Sequence, residues 1–268
     1  MPEETSSQII LDTYLGRSFI MDRFATQIQK KGFVNRILII GQTGVGKSSV
    51  VNLLADEKKA NVSDAAVGCT FSFDSYHVMH NDQPYELIDT IGLNEGSKGK
   101  VIQKEALKKL ITFIKQNKRG FNCVLFVIKK GRVDDAFEKN HYLFYKTLLQ
   151  EKIPAILFVG HCEQDEPMSA WYLQEENVNF LHPYHFSQVV CSTALEGGRF
   201  AEQIKPLREE TRTNLWKAIV DKMLDKPIPV EADLNMIKRL WNGVCDYFGF
   251  TWKFVTDQFK SFLEYLRL

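Results

Sequence analysis

The chain has 268 residues, 44% hydrophobic and 25% charged, an ordinary globular composition with enough apolar material for a sizeable core. A formal net charge of +1 leaves no global basic field, so no nucleic-acid partner is expected. The five cysteines are scattered and form no C-x-x-C pair, which argues against a disulfide framework or zinc site and for a reducing, cytoplasmic setting.

The predicted elements follow in chain order. Residues 1–8 are polar and acidic, unlike a signal peptide, and read as a disordered lead. Over residues 9–30, Ile10, Tyr14, Phe19, Phe24 and Ile28 suit a loosely amphipathic helix. Residues 34–40 are a short run rich in β-branched side chains that ends at a glycine-rich turn, and a helical pattern follows at 47–56. Residues 71–80 alternate less cleanly and suit an edge strand, and 85–88 form the next strand. Residues 100–117 then read as a helix. Residues 123–128 are almost continuously apolar, as expected of a strand buried on both faces. After a helical pattern at 134–150 comes a strand at 153–159, with Pro154 at its start, where a missing N–H is tolerated. A strand at 189–191 and a helix at 207–225 complete the alternation, and 225–229, with two prolines, reads as a linker. No run of about 18 uncharged apolar residues suggests a membrane span.

Strands alternating with helices predict an α/β fold: a mostly parallel central sheet with helices on both faces, followed by C-terminal amphipathic helices. The expected division is an N-terminal, partly helical extension at 1–32, a central α/β domain at 33–225 and a C-terminal helical extension at 226–268.

The glycine-rich turn reads Gly41-Gln42-Thr43-Gly44-Val45-Gly46-Lys47-Ser48. Its glycines let backbone N–H groups approach phosphate oxygens. Lys47 offers an ammonium to the β- and γ-phosphates, Ser48 a hydroxyl to Mg2+, and the helix that begins there its positive end. Gly41, Thr43, Gly44, Val45, Gly46, Lys47, Ser48 and Ser49 are the phosphate-binding candidates. About forty residues on, a strand ends in Asp89-Thr90-Ile91-Gly92. Asp89 would hold the metal through water, and the Gly92 N–H would sense the γ-phosphate. Between them Thr70 is the candidate switch threonine that coordinates Mg2+ when a triphosphate is bound. Plain surface threonine is the competing reading, with Ser63 and Ser72 nearby. Ser48, Thr70 and Asp89 are thus the metal candidates, and Lys47, Thr70 and Gly92 the catalytic ones.

Guanine presents two N–H donors on its pairing edge, so a carboxylate suits it. Gly160-His161-Cys162-Glu163 ends a buried strand and looks like a variant of the Asn/Thr-Lys-x-Asp guanine motif. Glu163 would accept from the base and His161 would cap its face, with Asp165 as a competing acceptor. After the last strand, Thr193 and Ala194 could bring a backbone N–H to guanine O6.

Together these motifs resemble the septin-like branch of GTPases, and within it the GIMAP-like, immunity-associated group. The resemblance rests on the turn at 41–49, on Asp89-Thr90-Ile91-Gly92-Leu93, and on the apolar strand running into Gly131-Arg132-Val133. It covers about residues 33–225. It implies GTP/GDP and Mg2+ as ligands, slow hydrolysis, and pairing of nucleotide faces in a homodimer or oligomer. Departures are Gly160 and Glu163 in the guanine motif and Leu195 where many GTPases carry lysine. Leu93 stands where Ras-like enzymes place a water-orienting glutamine. Hydrolysis completed by a partner, with Arg132 or Arg119 as candidate arginines and Asn94 and Glu95 as candidate water-positioning groups, stands beside a second reading, an assembly module with negligible turnover.

The chain ends in two amphipathic patterns separated by Gly249. The first is Leu234, Ile237, Trp241, Val244 and Phe248; the second is Trp252, Val255, Phe259, Phe262 and Leu266. Packing on the core, a dimer or effector surface and attachment to a membrane surface are three competing readings. In the last, the protein would be cytoplasmic and peripheral on a membrane.

Overall fold

A computed structural model of the chain describes residues 21–28, 33–60, 72–91, 110–131, 133–196, 198–230 and 233–247. Thr70, Gly92, Leu93, Asn94, Glu95, Arg132, the disordered lead expected at 1–8 and the second C-terminal pattern lie outside the described residues.

After a short helix α1 at 21–28, the elements run β1 (Asn35–Ile40), α2 (Lys47–Ala55), β2 (Ser72–His80), β3 (Gln83–Ile91), α3 (110–116) and β4 (Cys123–Lys129). Then come α4 (Asp135–Asn140), a π-helix (His141–Leu148), β5 (Ala155–Gly160), α5 (Ala170–Leu173), α6 (Glu175–Leu181), β6 (Gln188–Cys191), α7 (Ala201–Lys222) and α8 (Leu234–Tyr247). The six strands form one sheet in the order β2-β3-β1-β4-β5-β6. Every neighbouring pair is parallel except the β2–β3 hairpin, so the strand expected at an edge is the edge, and it is antiparallel.

Side chains on β1 alternate between two cores, as the period of a strand requires. Leu38 and Ile40 face a cluster completed by α3, the π-helix and α8. Ile37 and Ile39 face a second cluster with Val50 and Leu54 of α2 and Leu215, Trp216 and Ile219 of α7. Burial on both faces explains the continuous apolar runs of β4 and β5.

Three elements differ from expectation. The last long helix starts at Ala201, not 207, and carries Pro206 inside it; the proline removes only one hydrogen bond, to the carbonyl one turn earlier. The segment between β5 and β6, to which no element was assigned, holds α5 and α6. Residues 225–229 are no free linker. Phe121 and Ile228 exchange N–H···O bonds at 3.3 and 3.0 Å, and Leu224 N donates to Asn122 O at 3.0 Å. Gly120 permits this contact: its φ is 74°, and a Cβ there would stand 1.6 Å from Ile228 O.

That strap delivers α8 to the core. Met236, Ile237, Leu240 and Trp241 are buried, and a Cβ on Gly243 would stand 3.0 Å from Thr147 Cγ2 of the π-helix. Of the first C-terminal pattern, Ile237 and Trp241 are thus used in packing against the core, while Leu234 at its start is 63% exposed. Among the described residues no helix is long and apolar enough to cross a membrane.

Candidate functional site

The C-terminal ends of the parallel strands β1, β3, β4, β5 and β6 share one edge of the sheet, and strand order reverses direction around β1. Crevices at such a point are where open α/β sheets bind ligands.

The glycine-rich turn leaves β1 here. A Cβ on Gly41 would meet Val127 O of β4 at 2.4 Å, so only glycine lets the turn lie against the neighbouring strand. Gly44 and Gly46 take φ of 80° and 101°, the left-handed conformations that aim successive N–H groups inward. Thr43 and Gly44 are exposed, Val45 is buried, and Ser48 and Ser49 are half-buried on the first turn of α2. Gly46 caps α2 without a side-chain acceptor, and no acidic residue lies in the first turn. The donors at this helix end are thus left for an anion.

Lys47, Ser48 and Asp89 converge. Lys47 is buried, and its Nζ donates to Gln42 O at 2.8 Å. Burial pushes its pKa down, while the Asp89 charge opposes the shift. Ser48 Oγ donates to Asp89 Oδ2 at 3.2 Å. Asp89 is 5% exposed; burial raises its pKa to about 6 against the pull of Lys47 and Ser48. Its Oδ1 is buried with no partner among the described residues. A hydroxyl and a buried carboxylate with an orphaned oxygen form a hard oxygen donor set that fits Mg2+.

The base-side candidates lie on the β5 and β6 ends. His161 adopts φ 64°, turning the chain out of β5, and burial lowers its pKa. Cys162 N donates to Ser192 O at 3.1 Å, joining this turn to the loop that carries Thr193 and Ala194. Thr193 is fully buried, its Oγ1 accepting from Leu195 N at 3.3 Å, and Ala194 is also buried. The two competing carboxylates differ. Asp165 is held by Lys130 Nζ at 2.8 and 3.0 Å, whereas Glu163 Oε2 is buried without a partner among the described residues.

Three participants escaped the sequence reading. Gln42 Nε2 donates to Asp134 Oδ1, and that carboxylate also caps α4 by accepting from Phe137 N at 3.2 Å. Lys130 was the third. Two consecutive lysines closing a buried strand, Lys129 and Lys130, were the available signal. Arg119 precedes β4 and so sits at the opposite edge of the sheet, 3.7 Å from Glu86 Oε2. That places it at the end of the sheet away from the glycine-rich turn.

Residues 36–160 match the family described as "50S ribosome-binding GTPase". The tRNA modification GTPase MnmE of Prochlorococcus marinus is 32% identical over 121 residues, which are 45% of this chain and 24% of that protein. GTPase Der of Rippkaea orientalis is 24% identical over 204 residues, 72% of this chain and 42% of that protein. The chain thus spans less than half the length of these relatives. Among solved structures, Toc33 from Arabidopsis thaliana in complex with GDP and Mg2+ aligns with a TM-score of 0.45 at 19% identity, over 79% of this chain and 94% of that one. Era in complex with MgGDPNP and a 16S ribosomal RNA segment aligns with a TM-score of 0.45 at 15% identity, over 75% of this chain and 60% of that one.

Proposed function

We propose that this protein, whose residues 36–160 match a GTPase family model, is a P-loop GTPase that binds GTP with Mg2+ and hydrolyses it slowly, as a switch or scaffold that assembles through its nucleotide face. The observation that carries the reading is the buried Lys47–Ser48–Asp89 cluster, with Asp89 Oδ1 unpaired beside the uncapped start of α2. The backbone N–H groups of 43–48 orient the β- and γ-phosphates, and Lys47 turns from Gln42 O to their oxygens. Ser48 and Asp89 hold the metal, with Thr70 as the proposed switch ligand and the Gly92 N–H as the proposed γ-phosphate contact. Bound Mg2+ supplies charge neutralisation where negative charge builds on the transferring group. Water attacks the γ-phosphorus, the bond to the β-phosphate oxygen breaks, and GDP and phosphate leave. Glu163 accepts from guanine, and His161 covers its face.

The finer assignment to the septin-like branch, closest to its GIMAP-like group, rests on the motif residues, as does the expected pairing of nucleotide faces. A cytosolic setting is part of the same proposal. Leu93 offers no group to orient water, which supports slow hydrolysis and keeps a second reading: a GTP-binding assembly module with negligible turnover. Single-turnover hydrolysis across protein concentration separates the two. A rate per subunit that climbs with concentration supports the assembling enzyme, and no turnover at any concentration sinks it. Competition of ATP against GTP, repeated with Glu163→Ala, tests the base assignment. Equal competition by ATP in the wild type would overturn it.

A further inference from the structure

We propose that the Lys130–Asp165 ion pair is a positioning clamp for the base: it removes Asp165 as a rival acceptor and fixes the 161–165 turn so that Glu163 alone meets the guanine edge. The inference rests on the reading of Glu163 as the guanine acceptor.

The turn has two carboxylates two residues apart, and only one can face the base productively. Its near end is tied to the β6 loop by Cys162 N donating to Ser192 O at 3.1 Å. Asp165 N closes the turn on Cys162 O at 3.0 Å. The far end is held from another strand. Lys130 extends the β4–β5 pairing by donating its N–H to Gly160 O at 2.9 Å, and its ammonium then spans both oxygens of Asp165 at 2.8 and 3.0 Å. Both side chains are mostly shielded, 28% and 20% exposed, so the pair is less screened than one on open surface. Glu163, caught between these two anchors, keeps Oε2 buried and unpaired.

Without the ammonium, Asp165 becomes a free anion beside Glu163. Two like charges on a five-residue turn repel, and the turn loses the tether that sets the direction of Glu163. Lys130 acts through the turn.

The test compares the affinities of GDP and IDP, with Mg2+, for the full chain. Inosine lacks only the 2-amino group, so the ratio isolates one donor to the carboxylate. The wild type should prefer GDP by about 10–100-fold, the size of one charge-assisted hydrogen bond. Lys130→Met should reduce that preference by about fivefold or more, and Lys130→Arg should restore it. Binding of inorganic tripolyphosphate, which meets only the cradle, reports that each variant is folded. A GDP/IDP ratio unchanged in Lys130→Met but collapsed in Glu163→Ala overturns the clamp and leaves the base reading standing. If Glu163→Ala itself keeps the wild-type ratio, the base reading falls and the clamp with it.

Discussion

Burial disfavours the charged forms of both Lys47 and Asp89, lowering the pKa of the first and raising that of the second to about 6. Phosphate oxygens brought to the start of α2 favour the ammonium, and a divalent cation favours the carboxylate. On the proposed reading, the site would bind its two ligands with residues that each need one of them. Removing a hydrogen bond to a charged group costs about 1.5–3 kcal/mol, so Lys47→Ala should weaken nucleotide binding about 10–100-fold, measured by fluorescent-nucleotide titration. At this scale the sequence was informative where chemistry demands a residue type at fixed spacing, as in Gly41, Gly46, Lys47, Ser48 and Asp89. It left Glu163 and Asp165 as rivals, because the partner that separates them, Lys130, lies thirty-five residues from Asp165 in the chain.

Elements declared themselves unevenly. β4 and β5 were plain in the sequence because both faces are buried and, apart from Lys129 at the end of β4, no position is charged or polar. α5 and α6 were not: they have four and seven residues, and Leu173, Val178 and Phe180 remain exposed, so no stripe marks an inner face. The π-helix was read as ordinary helix, since its buried positions, including Leu143, Phe144 and Leu148, mimic helical spacing. It carries His141, 1% exposed among Phe126, Phe137, Tyr145, Tyr184 and Phe186. Its Nε2–H donates to Tyr184 O at 3.3 Å. Burial, opposed by that bond, pushes its pKa from 6.5 down to about 4. An unfolded chain takes up this proton below about pH 6.5, the folded one only near 4, so the unfolded state binds more protons in between. Stability should therefore fall as pH drops through that window, by about 3 kcal/mol from this residue. His141→Phe should flatten the slope, seen as thermal midpoints compared at pH 7, 5.5 and 4.5.

Over the whole molecule, the strap at 224–230 joins the sheet and its helices to α8 and fills the end of the sheet away from the site. Arg36 anchors that end, buried, with Glu86 at 2.8 Å and Gly120 O at 2.9 Å. Proline-rich sequence suggested a loose connection because its hydrogen bonds go to Lys118, Phe121 and Asn122, roughly a hundred residues away, which no local pattern can reveal. Gly120→Ala would force both a left-handed alanine and a clash with Ile228 O. It should cost about 2–4 kcal/mol and speed amide exchange at Ile228 and along α8, read by hydrogen exchange mass spectrometry.

Trp216 stands where three of these elements meet. Its indole N–H donates to Leu54 O at 3.2 Å near the end of α2, its ring stacks on His80 at 4.1 Å, and Tyr85 packs against it at 4.8 Å. α2 starts at the phosphate cradle, and the strand bearing Tyr85 runs on to Asp89. The chain thus contains an optical reporter wired to both halves of its site. With its other three tryptophans replaced by phenylalanine, emission at Trp216 should change as nucleotide is titrated. Occupancy of the site could then be followed by light alone, with no label on protein or nucleotide.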